Sequence, residues 1–184
     1  MAPDEMKVHL LTRGAYYHGA LRYSEAPGAA RPRLLDFLNA QARGRQGLPA
    51  KAVPMLHLDD ADVTVYRGDE KVAVRAPSVS VAVRAVVVAF DEGPAKRDSI
   101  GPQATYEKRL ALDEEPLVIL TRTRHRLVGK VRGGVRRLTV RTADEPFVAV
   151  TGVSIEDLST GARRPAALSF VALNMEFVEA YWEA

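Results

Sequence analysis

Cysteine is absent from all 184 residues, which excludes a disulfide scaffold, a thiol nucleophile and any cysteine-ligated zinc or iron–sulfur site. Long apolar runs are absent as well. The longest, Ala85 to Phe90, falls far short of the roughly 20 residues that span a bilayer. Near the N-terminus, Asp4 and Glu5 stand where a signal peptide needs an apolar stretch, so a cytoplasmic location without membrane contact is expected. Neither sign of charge dominates: 26 Lys+Arg against 23 Asp+Glu leave a net charge of +3, too mild to diagnose nucleic-acid binding. The sequence also lacks a Gly-x-Ser-x-Gly elbow, a phosphate-binding glycine loop and the histidine spacing of a zinc helix. His9, His18, His57 and His125 are scattered. No catalytic residue, cofactor or metal site is expected, and the chain reads as non-enzymatic.

What is present is a period of two. Val79, Val81 and Val83 alternate with Ser80, Ala82 and Arg84; Val63 and Val65 alternate with Asp62 and Thr64; Leu138 and Val140 alternate with Arg137, Thr139 and Arg141. β-branched residues in alternation indicate half-buried strands. Strands are further expected at 7–11, 16–23, 117–123, 126–132, 147–156, 167–173 and 176–182. One segment breaks the rhythm: Pro32, followed by apolar Leu34, Leu35, Phe37 and Leu38, predicts a short helix near 32–42. A basic loop follows at 43–49, and residues 93–104 have the composition of a linker.

The two sides of that linker resemble each other. At an offset of 110, Val8 lies over Val118, Leu10 over Leu120, Gly19 over Gly129 and Arg22 over Arg132. Further on, at an offset of 92, Met55 lies over Phe147 and Ser78–Phe90 over Phe170–Trp182. This predicts an all-β protein with a minor helix, built as two tandem related small β-barrels: residues 1–92 with the helical insertion, the linker, and residues 105–184.

The sequence of Val128-Gly129-Lys130-Val131-Arg132, the alternating strand Phe147–Glu156 and the segment Phe170–Val178 resembles uncharacterised bacterial tandem small-β-barrel domains. Leu34-Leu35-Asp36-Phe37-Leu38-Asn39 is similar to their Leu-x-Asp-x-Leu-Asn turn, and the heavy use of Ala, Val, Arg, Gly and Pro fits a high-GC bacterial genome. The pattern is loosely similar to the Sm-like barrel, which would imply RNA binding or ring assembly. A second likeness lies in Arg122-Thr123-Arg124-His125-Arg126 followed by Asp157-Leu158-Ser159-Thr160-Gly161, which resembles the Arg-x-x-x-Arg and Asp-x-Ser-x-x-Gly elements of PilZ domains. That likeness would imply a cyclic di-GMP receptor, although Gly161 falls one residue early.

Two surfaces are candidates for function. Arg122, Arg124, Arg126, Lys130, Arg132, Arg137 and Arg141 fall in a stretch without an acid from Pro116 to Ala143. On adjacent strands they would form a cationic stripe for an anionic ligand, a nucleic acid or a protein partner. No aromatic residue interrupts the stretch to stack bases. At the other end of the same half, Phe177 and Tyr181 share one strand face and Trp182 lies on the other, an arrangement suited to an interface anchor. His57, Asp59, Asp60 and Asp62 have ligating chemistry, but their counterparts Ala149, Thr151, Gly152 and Ser154 do not, so a solvated strand end is expected there. The expectation is a binding or scaffolding module that assembles with itself or another protein. RNA binding and cyclic di-GMP binding are the alternatives.

Overall fold

Alternating β-branched residues cannot bury one face alone, and here they do so by joining a single antiparallel sheet. The computed structural model describes residues 5–23, 32–43, 53–67, 70–92, 114–132, 134, 138, 145–163 and 168–184. In chain order the elements are β1 (Glu5–Thr12), β2 (Ala15–Arg22), α1 (Leu34–Arg43), β3 (Met55–Arg67), β4 (Glu70–Ala82) and β5 (Val86–Asp91). Then follow β6 (Glu114–Thr121), β7 (His125–Arg132), β8 (Phe147–Asp157), β9 (Leu168–Asn174) and β10 (Val178–Glu183). The protein is all-β with one short described helix. No helix among the described residues is long and apolar enough to cross a membrane.

The sheet runs β10-β6-β7-β8-β9-β5-β1-β2-β3-β4. Each run of five strands therefore places its fifth strand beside its first. Backbone bonds recur at corresponding places: Val83 N–H donates to Pro54 and Met175 to Pro146, Tyr66 to Gly14 and Leu158 to Arg124, Glu92 to Lys7 and Ala184 to Pro116. Pairing irregularities between His18 and Ala20 and between Val128 and Lys130 fall on Gly19 and Gly129. A Cβ on Gly129 would stand 2.8 Å from Val150 Cγ1, and one on Gly19 would stand 3.0 Å from the Asp59 carbonyl oxygen, so both bulges need glycine.

The first hairpin corresponds differently from the sequence alignment. The second turn is one residue longer, with Arg124 at φ 61°. Thr12 and Thr121 each bond the backbone N–H and C=O of the residue that reopens the ladder, Ala15 and His125 respectively. Buried Val8 and Leu10 thus correspond to buried Leu117 and Ile119, and not to Val118 and Leu120.

Two apolar clusters fill the molecule. One joins Met6, Val8, Leu10, Leu21, Leu56 and Leu58 to Leu34 and Leu38, which lie four apart on one face of α1. The other gathers Leu117, Ile119, Leu127, Val131, Val150 and Leu173. β5 lies between them: Val86 and Ala89 enter the first cluster, while Val87, Val88 and Phe90 enter the second. A strand buried on both faces reads as a continuous apolar run, which is why Val86–Phe90 does not alternate.

Three expectations are corrected. Leu138 is helical and buried in the second cluster, not part of a strand with Val140; it packs as Leu38 does in the first. Val83–Ala85 and Met175–Phe177 are 3-10 turns that end the alternation of β4 and β9, because the chain must turn into β5 and β10. Arg122–Arg124 is the turn after β6, so these residues do not share a strand face with Arg126. The 93–104 linker, the 44–49 part of the basic loop, and Arg137 and Arg141 lie outside the described residues.

Candidate functional site

The basic stretch divides into two parts. Arg122 and Arg124 are exposed on the β6–β7 turn, while Arg126 and Lys130 project from the solvent side of β7. β7 lies between β6 and β8, and β8 supplies acids rather than more arginines: Arg126 pairs across the ladder with Glu156. Its guanidinium donates to Glu156 at 3.3 Å, and Arg163 approaches the other carboxylate oxygen at 3.1 Å. Arg163 and Arg126 together hold the Glu156 carboxyl below the ordinary range. The stripe is therefore partly neutralised, and of Arg132 only the backbone is described. The two PilZ-like elements do meet, since the Leu158 N–H donates to the Arg124 carbonyl at 2.8 Å.

Of the terminal aromatics, Phe177 lies in the 3-10 turn and Tyr181 on β10, and both pack partly against the second cluster. Trp182 is 46% exposed on β10, an edge strand. Its counterpart is Phe90, paired with His9 as Trp182 is with Val118, and Phe90 is only 4% exposed. The cover comes from the seam between the two halves, where β5 pairs with β9 (Val88 with Leu173, Ala89 with Ala172). Two buried asparagines complete that seam. Asn174 donates to the Val86 carbonyl at 2.9 Å, and Asn39 of α1 binds both backbone groups of Phe147 at 3.0 and 3.1 Å.

A second cluster was not expected from the sequence. His9 on β1 and His18 on β2 are cross-strand partners, their rings stacked with centroids 4.4 Å apart and planes at 9°. The end of β5 carries Glu92 over them. Glu92 Oε1 lies 3.1 Å from His9 Nε2 and 2.9 Å from His18 Nε2. Phe90 stacks on the other face of His9 at 4.5 Å. His9 Nδ1 is hydrogen-bonded to the Tyr16 hydroxyl, and His18 Nδ1 is 3.8 Å from Asp62 Oδ2. Partial burial pushes the Glu92 carboxyl up, but His18 and His9 outweigh it and hold it below its ordinary value. The corresponding positions in the second half are Val118, Val128 and Ala184, so this chemistry belongs to the first half alone.

The His57 cluster is dispersed: His57 Nδ1 bonds Ser80 Oγ at 2.8 Å, Asp59 pairs with Arg22, and Asp62 faces His18. In comparisons with protein-family models, curated proteins and solved structures, nothing matches this chain.

Proposed function

We propose that the protein is a non-enzymatic scaffold whose copies associate head to tail, with β10 of one copy adding to β4 of the next. Support comes from one contrast between the seam and the open ends. Phe147 and Phe90, at the seam, are 1% and 4% exposed; their counterparts Met55 and Trp182, at the open ends, are 38% and 46% exposed. An exposed sheet edge with an unburied aromatic beside it is a template for strand addition. The recurring strand order and backbone bonds favour reading the chain as two related barrel-like units, so the internal seam is itself an example of such a contact.

The end-to-end contact would be weaker than the seam. Glu179 and Ser80 stand where the seam has Val87 and Ala172, and Ala82 stands where it has Asn174. Pro77 on β4 has no N–H to donate and limits pairing to the residues after it, which include the counterparts of the seam pairs. Such a heterologous contact closes into rings or extends into filaments. The likeness to Sm-like barrels points to the same behaviour.

Trp182 is the sole tryptophan, so its emission reports this edge directly. Light scattering and fluorescence across a concentration series should show mass rising as the emission shifts to the blue, and Trp182→Arg, which removes the fluorophore, should abolish the rise in mass. A monomer with unshifted emission throughout the series would overturn the reading. Binding of an anionic ligand at the Arg122–Arg126 turn is the second reading, favoured by its contact with the Asp157–Gly161 turn. It is tested by salt-dependent binding of RNA, DNA or cyclic di-GMP and its loss in Arg126→Ala.

A further inference from the structure

We infer that His9, His18 and Glu92 form a binding site for one divalent transition-metal ion of the zinc type. Each contributes one ligand atom, and the three atoms lie within 4.8 Å of one another. Two imidazole nitrogens and one carboxylate oxygen suit zinc and its neighbours, and leave a fourth position for water.

The spacing is close to what an ion requires. Ligand atoms about 2.1 Å from a tetrahedral centre stand about 3.4 Å apart. The two nitrogens are 2.9 and 3.1 Å from Glu92 Oε1, so an opening of about half an ångström, together with a turn of one stacked ring out of its parallel orientation, brings both lone pairs onto one ion. Glu92 can supply that movement, since its side chain is half-exposed and it lies just beyond the end of β5.

The nitrogen atoms carry a second indication. His18 Nε2 is sealed from solvent and, despite its closeness to Glu92, makes no aligned hydrogen bond. A buried ring nitrogen without a hydrogen-bond partner is unusual, and coordination would satisfy it. Nδ1 of His9 is hydrogen-bonded to the Tyr16 hydroxyl, and Nδ1 of His18 faces the Asp62 carboxylate at 3.8 Å, an ion-pair distance that a small side-chain shift would close to a hydrogen bond. An oxygen set against Nδ1 is the usual outer partner of a metal-ligating histidine, and Nε2 of His9 then binds the ion by giving up the proton it shares with Glu92. Phe90 closes the inner side with an apolar wall.

Occupancy would tie the β1–β2 hairpin to the end of β5, the strand that also forms the seam. Isothermal titration of the metal-free full chain with Zn²⁺ should give one saturable site per chain. Zn²⁺ at a hundredfold excess over its Kd should raise the Tm by roughly 5–10 °C. Co²⁺ should give the intense visible absorption of a tetrahedral site. Glu92→Gln and His18→Gln should remove all three signals, while His57→Gln keeps them. Asp62→Asn, at an exposed residue outside the ligand set, should weaken binding about tenfold or more without disturbing the fold. Absence of saturable binding would overturn the site, as would binding that survives Glu92→Gln and His18→Gln or is lost in His57→Gln. Should either ligand variant fail to fold, unchanged affinity in Asp62→Asn would overturn it equally.

Discussion

The seam and the two open ends of the sheet are built from corresponding strands, yet their side chains differ in a consistent direction. At the seam, β5 is apolar on both faces, and Asn39 and Asn174 satisfy backbone groups that the packing removes from water. At the ends, charge and small residues replace them: Glu179 for Val87, Ala82 for Asn174. Permanent burial requires that every buried polar group find a partner, whereas an edge that opens and closes must remain tolerable in water. On the proposed head-to-tail reading, the difference separates a fixed joint from a reversible one, although a similar backbone underlies both.

The largest way to break this contrast is to give the seam the chemistry of the ends. Asn39→Ala leaves the buried N–H and C=O of Phe147 without partners and should cost roughly 2–4 kcal/mol in urea unfolding. A cost below about 0.5 kcal/mol, the range of ordinary surface changes, would mean the joint is held by apolar packing alone. Next in size is the pair of bulges. Gly129→Ala forces a methyl against Val150 and the Thr151 carbonyl and should cost about 1–3 kcal/mol, with Gly19→Ala comparable because its nearest neighbour is a backbone oxygen. Neutral substitution at only one of them would show that the two halves bend for different reasons.

The smallest effect separates the two hairpin mouths, where Ala15 and His125 correspond. Burial lowers the His125 pKa from its ordinary value, opposed by Asp157. A histidine whose folded pKa is depressed adds a stability difference that is absent above the unfolded pKa, near 6.5. Below it, stability is lost as pH falls, until the folded-state value is passed. Denaturation midpoints should therefore fall below pH 6.5 with a slope of at most about 1.4 kcal/mol per pH unit from this group. His125→Ala, which copies the first hairpin, should remove that part of the slope. An unchanged profile would assign the acid sensitivity elsewhere.

Much of the strand content was legible, because alternation is local and burial of one face enforces it. Gly19 and Gly129 could be matched across the halves since the same bulge needs the same residue. The helix at Leu34–Arg43 declared itself by Pro32 and its leucine spacing, whereas Leu138 misled because Leu-x-Val satisfies either period over so short a span. The histidine pair was half-legible: His9 and His18 stand at equal distances from the Arg13–Gly14 turn, so an antiparallel hairpin must set them opposite each other. Glu92 carried no such signal.

By itself, then, the sequence determined the periods, the turns and the absence of thiol chemistry, all of which depend on composition or on neighbours a few residues apart. Only the tertiary structure decided that β5 lies between β9 and β1, that Glu156 answers Arg126, and that Glu92 closes over two histidines. Those outcomes depend on which strands pair across long stretches of chain. Pairing of that kind is selected by the burial of whole faces at once, a property that no local pattern of residues encodes.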